Sequence, residues 1–401
     1  MNVGVRAPLR ELTSVITKGT TPKTLGLAHT SSGIPFLRAE NIRDLTVVPT
    51  DRPLYIDERV DAALSRSRIR PNDVLISIAG TIGRVGVVPE NAPAMNCNQA
   101  IAIVRVNEQV LPRYLGRWLM SADAQMQMAR AQVTATISNL SLGQIGELVV
   151  PVPPQAEQRR IADILDKVDA IRRKRKEAIA LTEELLRSAF LEMFGDPVTN
   201  PKGWPVKPLG AIAEAASGVT KGKRYDGLSM VTLPYMRVAN VQDGHLALKE
   251  IKTITVSKDD GRRYQLQEGD VLLTEGGDPD KLGRGTVWRG EVANCIHQNH
   301  IFRVRPGSAV RSEYLSAIIG SERGKRYFLQ AAKQTTGIAT INMTQLKAFP
   351  VLLPPIELQA RYSAFIERGG VTRGALKQRG ELVDDLFNSL VSRAFSGGLS
   401  A

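Results

Sequence analysis

The chain has 401 residues, of which 43% are hydrophobic and 23% are charged, which is ordinary for a soluble protein. No apolar run reaches the roughly 18 residues of a membrane-spanning helix, and Met1–Arg10 lacks the apolar stretch of a secretory signal. With two cysteines, the sequence therefore predicts a cytoplasmic protein without a membrane partner. The net charge of +13 favours a polyanionic partner, with nucleic acid first, although a basic surface can also serve solubility alone.

The dominant pattern in the chain is an internal duplication. Three segments of the first half return about 200 residues later: Ile34–Asn41 as Leu233–Asn240, Pro153–Gln158 as Pro354–Gln359, and Leu185–Ser188 as Leu386–Ser389. Self-similarity of this kind indicates two similar modules in one polypeptide. The chain is long enough for each module to bury a core of its own.

Each module begins with short runs that are rich in valine and isoleucine and bounded by glycine, proline and asparagine. This is the pattern of strands separated by turns. We predict strands at Pro35–Arg38, Asp73–Ile78, Arg84–Val88 and Ala100–Val106, and again at Pro234–Arg237, Asp270–Thr274, Gly283–Trp288 and His300–Arg305. One helical stretch follows each set, near residues 112–131 and 312–332.

A short helix with a capping box closes each β-rich segment. Ser141 stands three residues before Gln144, and Asn342 stands three residues before Gln345. A small polar N-cap and a glutamine at the third helical position satisfy backbone N–H groups reciprocally. We assign these motifs a structural role and no chemistry.

One long helix completes each module. A Pro-Pro pair precedes each helix and favours its first turn. Gly195 and Pro197 end the first helix, and Gly369-Gly370 predicts an interruption and kink in the second. The predicted apolar seam of the first helix comprises Ile161, Ile164, Leu165, Val168, Ile171, Ala178, Leu181, Leu185, Ala189 and Met193. A rod of about 40 residues is about 60 Å long and needs a partner helix.

The connectivity predicts how the two rods pair. The first helix leads from one module into the other, so a second helix packed on it runs back antiparallel. We therefore predict an α+β fold: two homologous mixed α/β domains separated by a long antiparallel two-helix coiled coil, with pseudo-two-fold symmetry. The predicted domains are residues 1–152 and 198–353, called the first and second heads below, and the spacer helices occupy residues 153–197 and 354–396.

The catalytic motifs that the sequence could carry are missing. It has no phosphate-binding loop and no Gly-x-Gly-x-x-Gly after a strand, and His29 is the only histidine before residue 200, which excludes a duplicated Ser-His-Asp site. Cys295, His297 and His300 match no familiar zinc spacing, so we predict no metal site. We expect a protein that is not an enzyme and holds no cofactor.

Two alternatives stay open. Carboxylates of the second head could hold Mg²⁺ in a nuclease, although the set is not duplicated: Asp270, Glu275, Asp278 and Asp280. The chain could also be a scaffold that binds proteins alone.

Polar side chains in the loops are the predicted DNA contacts. Arginine can bond guanine with two donors, and asparagine or glutamine can bond adenine similarly, whereas loop cations suit phosphates. We match Gln99 with Gln298 between the repeats. The predicted DNA-binding residues are Arg38, Asn41, Arg84, Gln99, Lys221, Lys223, Arg224, Arg237, Asn240, Arg284, His297 and Gln298. For the repeated pair Arg38 and Arg237, a salt bridge or a strand-end cap is the alternative role.

Two further regions bear on partners. The heads differ most between residues 42–70 and 241–267, which favours two unequal ligands and, for DNA, two different half-sites. The five consecutive cations Arg172–Lys176 lie in the middle of the first long helix. They indicate a solvated face, a contact with DNA phosphates, or a contact with an acidic partner.

The ordered set of a variable domain, a Pro-Pro-x-x-Glu-Gln-like helix start and a long helix, present twice, resembles the specificity subunit of type I restriction–modification systems. The segments that carry the resemblance are Ile34–Asn41, Asp73–Gly86, Pro153–Gln158, Leu185–Gly195 and Gly337–Leu346 with their counterparts, and Trp204 before the second head. The second helix start departs from the pattern because Leu358 separates Glu357 from Gln359.

The resemblance implies a non-catalytic subunit whose heads are target recognition domains, each recognising one half of a bipartite double-stranded DNA sequence. It implies helices that fix the gap between half-sites and dock two methyltransferase subunits, which carry S-adenosylmethionine. A restriction motor-nuclease subunit is a further implied partner. A rod of about 60 Å accommodates half-sites one or two helical turns apart, at roughly 34 Å per turn.

Overall fold

The computed structural model describes residues 5–48, 50–133, 139–222, 224–225, 229–277, 282–335 and 338–396. The chain divides into two compact units, Met1–Lys176 with Gln378–Ala401, and Glu177–Lys377. Each unit holds one head together with part of each long helix. The four-segment division into heads and spacer helices stays a prediction. Among the described residues, no helix is long and apolar enough to cross a membrane.

The first head contains two four-stranded sheets with short helices packed on them. Its strands are Val5–Pro8, Thr13–Lys18, Ile34–Leu37, Ile42–Arg43, Thr46–Val47, Leu54–Ile56, Arg68–Ile69, Val74–Ser77, Val85–Val87, Met95–Cys97, Ile101–Val106 and Val149–Val152. Its α-helices are Glu58–Ala63, Pro112–Leu119, Ala122–Val133 and Leu142–Gly146, so the predicted stretch at 112–131 is two helices. Short 3-10 helices lie at Leu9–Leu12, Pro22–Leu25, Ala39–Asn41 and Ser65–Ser67.

The two sheets of the first head differ in strand direction. The antiparallel sheet has the order Thr13–Lys18, Ile101–Val106, Val74–Ser77 and Val85–Val87, and its strands contribute side chains to the head's main hydrophobic cluster. The mixed sheet has the order Leu54–Ile56, Ile34–Leu37, Met95–Cys97 and Arg68–Ile69. Within it, Ile34–Leu37 runs parallel to Met95–Cys97.

The second head repeats this arrangement of sheets, but the strands at the sheet edges differ. Its strands are Val206–Pro208, Ala213–Ser217, Met230–Met236, Val241–Gln242, His245–Leu246, Lys252–Ser257, Val271–Thr274, Gly276–Gly277, Gly285–Val287, Ile296–His297, Ile301–Pro306, Lys333–Thr335, Ile338–Thr340 and Pro350–Leu352. Its helices are Leu209–Ala211, Val238–Asn240, Lys258–Arg263, Ser312–Gly320, Glu322–Ala331 and Met343–Lys347. The antiparallel sheet has the order Ala213–Ser217, Ile301–Pro306, Val271–Thr274 and Gly285–Val287.

The predicted capping boxes are confirmed. The Ser141 hydroxyl accepts from the Gln144 backbone N–H at 3.2 Å, and the Gln144 side chain accepts from the Ser141 N–H at 2.8 Å. Asn342 and Gln345 make the same two bonds at 2.9 and 2.8 Å. Each box closes the turn that leads to the last strand of its head.

A buried aspartate ties two neighbouring strands together in each head. Asp73 is fully buried, and its carboxylate accepts from Arg105 at 2.7 and 2.8 Å. Asp270 accepts from Arg305 in the same two-pronged way, at 2.7 and 2.9 Å. A planar guanidinium matches both carboxylate oxygens, so the buried charge keeps its hydrogen bonds.

The long helices are Gln155–Phe194 and Ile356–Phe395. The first ends where predicted, because Gly195 adopts a left-handed φ of 81°. The second runs continuously through Gly369 and Gly370, so the predicted interruption is wrong. Gly369 instead lets the other helix approach, since a Cβ there would stand 2.7 Å from Leu186 Cδ2.

The predicted apolar seam is only partly buried. Ile161 and Leu165 are buried, but Ile171, Leu181 and Leu185 have more than half of their surface exposed, so the seam is wrong at these positions. In the second unit the packing residues are Phe190 and Phe194, which contact Tyr314 and Tyr362. A long helix that packs against both its own head and another helix buries two different stripes of side chains. A single periodic pattern in the sequence does not show which stripe faces which neighbour.

Part of the cationic run at Arg172–Lys176 binds the second long helix within the first unit. Arg172 Nε lies 2.6 Å from the Asp384 carboxylate, and Arg175 donates to Asp384 at 3.1 Å and to the Gly380 carbonyl at 2.7 Å. The hydrogen bond from Arg172 is the main cause of the lowered pKa of Asp384. Along these contacts residue numbers rise in the first long helix and fall in the second, so the two helices run antiparallel here. Two of the five cations therefore serve helix pairing rather than a solvated face.

A buried glutamine fixes the start of each long helix to its head. Gln158 accepts from the Leu111 N–H at 2.8 Å and donates to the carbonyls of Gln109 and Pro153, both at 2.9 Å. Gln359 accepts from the Arg311 N–H at 2.9 Å and donates to the Pro354 carbonyl at 2.8 Å. The altered spacing at Glu357–Gln359 therefore leaves the role of the glutamine intact.

We predict that Gln158→Leu lowers the free energy of unfolding by about 2–4 kcal/mol, because it leaves one buried N–H and two carbonyls without partners. Urea denaturation measures the loss, and amide hydrogen exchange at Leu111 is expected to accelerate. Gln109→Leu is the control, since that side chain is exposed and its change is expected to stay within about 0.5 kcal/mol. Equal stabilities for the two variants would contradict the prediction.

Candidate nucleic-acid interface

In the first head, one end of the antiparallel sheet gathers several loops. Thr13–Lys18 and Val74–Ser77 finish at this end, while Val85–Val87 and Ile101–Val106 begin there. The turn at residues 98–100, called the 98–100 turn, lies between this sheet and the mixed sheet. Its backbone bonds both sheets, because Asn98 N–H donates to the Leu37 carbonyl at 3.0 Å and Ile78 N–H donates to the Ala100 carbonyl at 2.8 Å.

The second head places the turn at residues 298–300, called the 298–300 turn, in the same bonding pattern. Gln298 N–H donates to the Met236 carbonyl at 3.0 Å, and Glu275 N–H donates to the His300 carbonyl at 3.0 Å. These bonds align Asn98 with Gln298 and Ala100 with His300.

The match of Gln99 with Gln298 is therefore wrong by one position. The offset between the repeats is 199 residues at Arg38 and Arg237 but 200 residues at these turns, and Gln99 corresponds to Asn299. Cys97 corresponds to His297, since each follows the same parallel pairing with the neighbouring strand.

A glycine lets a second loop cross each turn at close range. A Cβ on Gly19 would lie 2.0 Å from the Asn98 carbonyl oxygen, and a Cβ on Gly218 would lie 1.9 Å from the His297 carbonyl oxygen. Only glycine permits this approach. The loops that follow, which carry Thr21 and Lys221, are thereby held beside the turns.

The first head presents two neutral polar side chains and one arginine at this surface. Gln99 is exposed, and its side-chain carbonyl accepts from the Thr21 hydroxyl. Arg84 follows the hairpin of the antiparallel sheet, where its backbone bonds Ser77, and its side chain is partly exposed. Within the described ranges its guanidinium has no ion-pair partner.

The second head presents more cations. Lys221 and Arg224 are exposed, and neither side chain has a hydrogen-bond partner within the part of the chain that the structure describes. Arg284 occupies the hairpin position of Arg84, and its Nε is buried without a partner among the described residues. Gln298 is partly exposed in the turn. Lys223 lies outside the described residues.

The two repeated arginines flank the turns and are paired with acids. Arg38 follows Leu37, which bonds Asn98, and its guanidinium binds Glu40. Arg237 follows Met236, and its guanidinium donates to the Glu250 carbonyl at 3.3 Å and lies 3.6 Å from the Glu250 carboxylate. The geometry gives both arginines the salt-bridge role that the sequence left as the alternative.

Asn41 and Asn240 are buried, and their side chains hydrogen-bond to backbone groups, which argues against their predicted contact with bases. The Asn41 side chain accepts from the Arg38 N–H at 2.8 Å and donates to the Val48 carbonyl at 2.9 Å. Asn240 accepts from the Arg237 N–H at 3.0 Å and donates to the Ala247 carbonyl at 2.8 Å. An amide committed at both ends in this way cannot also pair with a base edge.

His297 is also buried, so the structure contradicts its predicted DNA contact. Its Nδ1 lies 3.0 Å from the Ile301 carbonyl, and burial lowers the pKa of His297 to about 4. Burial also raises the pKa of Cys295 to about 12, and its Sγ lies 3.4 Å from the Ile296 carbonyl. Both residues pack between the sheets. A buried histidine and an exposed one look alike in a short strand without knowledge of the neighbouring strand.

Sequence analysis missed one exposed pair. His300 and Glu275, considered there only as possible metal ligands, lie at the 298–300 turn with Nδ1 and Oε2 separated by 2.6 Å. The carboxylate set for Mg²⁺ is not assembled by the described residues, because Asp270 is occupied by Arg305. Asp278 and Asp280 lie outside the described residues.

Comparison with known proteins gives one consistent family. Residues 8–181 match the family model of the type I restriction modification DNA specificity domain. The chain is 23% identical to the type I restriction enzyme StySPI specificity subunit of Salmonella potsdam, over 98% of this chain and 89% of that protein. It is 22% identical to the EcoKI specificity subunit of Escherichia coli, over 99% of this chain and 89% of that protein.

A solved structure shares the fold. The type I restriction-modification S subunit from M. genitalium superposes with a TM-score of 0.61 at 14% identity, covering 98% of this chain and 96% of that one. The likeness extends through both heads and both long helices.

We predict that His297 makes the fold sensitive to acid. Histidine in an unfolded chain has a pKa near 6.5, whereas folded His297 has a pKa of about 4, so between these values only the unfolded chain takes up the proton. Stability contributed by neutral His297 is therefore lost as the pH falls from about 6.5 to about 4. The loss amounts to about 3 kcal/mol in total.

Urea denaturation at about pH 7 and about pH 4.5 measures this loss. His297→Gln is expected to lose less stability between the two pH values than the parent chain. His245→Gln is the control, because His245 is exposed and its replacement is expected to leave the pH dependence unchanged. Parallel curves for His297→Gln and the parent would refute the assignment.

Proposed function

Because the chain belongs to the specificity subunits of type I restriction–modification systems, we propose that it recognises a bipartite double-stranded DNA sequence and docks methyltransferase subunits. The observation that supports this proposal is the repeated sheet end with its polar turn, once in each head. The 98–100 turn and the 298–300 turn share their backbone and differ in their side chains. This combination suits two recognition surfaces with different targets.

The chemistry of the two turns supports direct contact with bases. Gln99 is exposed in the first head, and Gln298 is partly exposed in the second. Glutamine can pair with adenine in the major groove, and arginine can pair with guanine. Arg84 has no ion-pair partner among the described residues and is suited to such a contact. Side chains on turns that are held by backbone hydrogen bonds are suited to discriminate base edges, because the main chain is already in position before DNA binds.

The cations around the second turn support phosphate contacts. Lys221, Arg224 and Arg284 have no acidic partner among the described residues, unlike Arg38 and Arg237. Residues 201–401 carry 28 basic and 19 acidic side chains, against 25 and 21 in residues 1–200. We therefore propose that the second head contributes more of the salt-dependent affinity.

The long helices are proposed to act as the spacer between the half-sites. The contacts of Arg172 with Asp384 in one unit and of Leu186 with Gly369 in the other support a continuous antiparallel coiled coil. With the repeated heads, such a coiled coil gives the chain pseudo-two-fold symmetry. Two helices of about 60 Å set the separation of the half-sites.

Exposed apolar side chains on the long helices support a protein partner. Leu181 and Leu185 of the first helix are 58% and 57% exposed, and Leu382 and Leu386 of the second are 67% and 53% exposed. Apolar surface of this kind marks interaction sites. We propose that two methyltransferase subunits dock here and carry S-adenosylmethionine, with a restriction motor-nuclease subunit as a further partner. The chain itself contributes recognition rather than catalysis and holds no cofactor.

We predict that exchanging residues 1–150 for the first head of another family member changes one half of the methylated DNA motif and leaves the other half intact. The reason is that the turns of each head are bonded within that head. Mapping methylated adenines in cells that express the exchanged protein with its methyltransferase measures the result. A change in both halves would contradict modular recognition.

We predict that Lys221→Ala reduces the slope of log affinity against log salt by about 0.9, as expected for one lost phosphate contact. Fluorescence anisotropy of labelled duplex DNA with the assembled complex, across about 50–200 mM salt, measures the slope. Lys207→Ala is the matched control, because Lys207 is exposed on the strand Val206–Pro208, away from the turn. An unchanged slope for Lys221→Ala would remove this lysine from the interface.

A further inference from the structure

The 298–300 turn carries an ion pair that the first head lacks. His300 Nδ1 lies 2.6 Å from Glu275 Oε2, and the side chains are 55% and 31% exposed. The backbone bonds of the two turns place Ala100 and Ile78 of the first head at the corresponding positions. Neither alanine nor isoleucine has a side chain that can form a hydrogen bond. The pair is therefore a feature of the second head alone.

The pair is not needed to build the turn. In the first head, Ile101 N–H donates to the Asn98 carbonyl at 3.2 Å, and the Asn98 side chain accepts from the Ala100 N–H at 3.1 Å, so the turn is closed without any ionisable side chain. In the second head, Ile301 N–H donates to the Gln298 carbonyl at 2.9 Å and closes the corresponding turn. Because the same main-chain bond closes the turn in both heads, the pair is not required to form it.

The pair is also poorly explained as a surface ion pair. A carboxylate on a surface that binds DNA is repelled by phosphates, so Glu275 weakens non-specific affinity unless it has a specific task. Exposed ion pairs of this kind contribute little to stability. A carboxylate that accepts from a base amine supplies such a task.

The geometry leaves two hydrogen-bonding atoms free. An ionised carboxylate only accepts, so Nδ1 of His300 carries the hydrogen and the ring is held by Glu275. Within the part of the chain that the structure describes, Oε1 of Glu275 and Nε2 of His300 have no partner. Both atoms belong to partly or largely exposed side chains, at the turn that also carries Gln298.

Given the proposed DNA-recognition function, on which this step rests, we propose that Glu275 and His300 form a base-recognising pair of the second head. Glu275 accepts from the exocyclic amine of adenine or cytosine in the major groove, and it also orients His300 so that Nε2 contacts the same base step. The pair determines one position of the half-site that the second head recognises. The first head has no equivalent determinant.

Methylation by the assembled complex tests this assignment. The chain, or its His300→Ala or Glu275→Gln variant, is combined with its methyltransferase subunits and S-adenosylmethionine on a DNA library with both half-sites randomised. The exchange of residues 1–150 identifies which half-site belongs to the second head. Sequencing the methylated products gives the base preference at every position.

Both variants are expected to lose preference at the same single position of the second head's half-site, by about 5- to 150-fold. The other half-site is expected to stay unchanged. Glu291→Gln is the control, because Glu291 is exposed at the opposite end of the same sheet, where its carboxylate accepts from the Arg289 N–H at 2.9 Å. Its motif is expected to match that of the parent.

Uniform weakening at all positions, or an unchanged motif in both variants, would overturn the pair's assignment while leaving the proposed function in place. A parent complex that methylates without sequence preference would instead overturn the proposed function. Circular dichroism establishes that each variant is folded. If His300→Ala unfolds, Glu275→Gln, which keeps the size of the side chain, still decides the question.

Discussion

The junction between each head and its long helix depends on one buried glutamine. Gln158 bonds the loop before the helix Pro112–Leu119, and Gln359 bonds the loop before the helix Ser312–Gly320. Each glutamine also bonds the proline segment before its long helix. Because these bonds lie in a water-free environment, they fix the angle at which the helix leaves the head. A spacer can set a distance between two recognition surfaces only if both of its ends are fixed in this way.

The proposed recognition surface of each head lies on buried strand pairs. Asp73 with Arg105, and Asp270 with Arg305, tie the strands whose ends meet at the polar turns. Gly19 and Gly218 then allow the next loop to lie against each turn. A rigid base beneath short loops limits the freedom that DNA binding would otherwise have to remove. Under the proposed function, specificity in each head is therefore a property of a few side chains on a preformed main chain.

Much of this architecture could be predicted because the sequence contains an internal duplication. The strands, the capping boxes and the end of the first long helix at Gly195 rest on local patterns that need no knowledge of distant contacts. The site residues were harder to identify. Asn41, Asn240 and His297 are polar but buried, and a repeated polar residue that holds backbone cannot be told from one that binds a ligand by its recurrence.

The wrong match of Gln99, the wrong apolar seam and the missed partner of His300 had separate causes. A net gain of one residue between Arg237 and Gln298 shifted the match with Gln99, since repeats drift in length where loops connect the strands. The apolar seam failed at Leu181 and Leu185 because a helix pattern does not say which of several neighbours covers each stripe. His300 was missed because its partner, Glu275, is 25 residues away in the chain.

The same main-chain bond closes the turn in both heads, and this has a consequence for how such a molecule changes over time. Under the proposed function, substituting an exposed side chain such as Gln99 alters what is recognised and leaves this main-chain bond intact, so new targets are reachable by single substitutions. Because the duplication keeps two independent copies of the turn, one copy can diverge while the other preserves its former preference. The recognised sequence can thus change while the fold is kept.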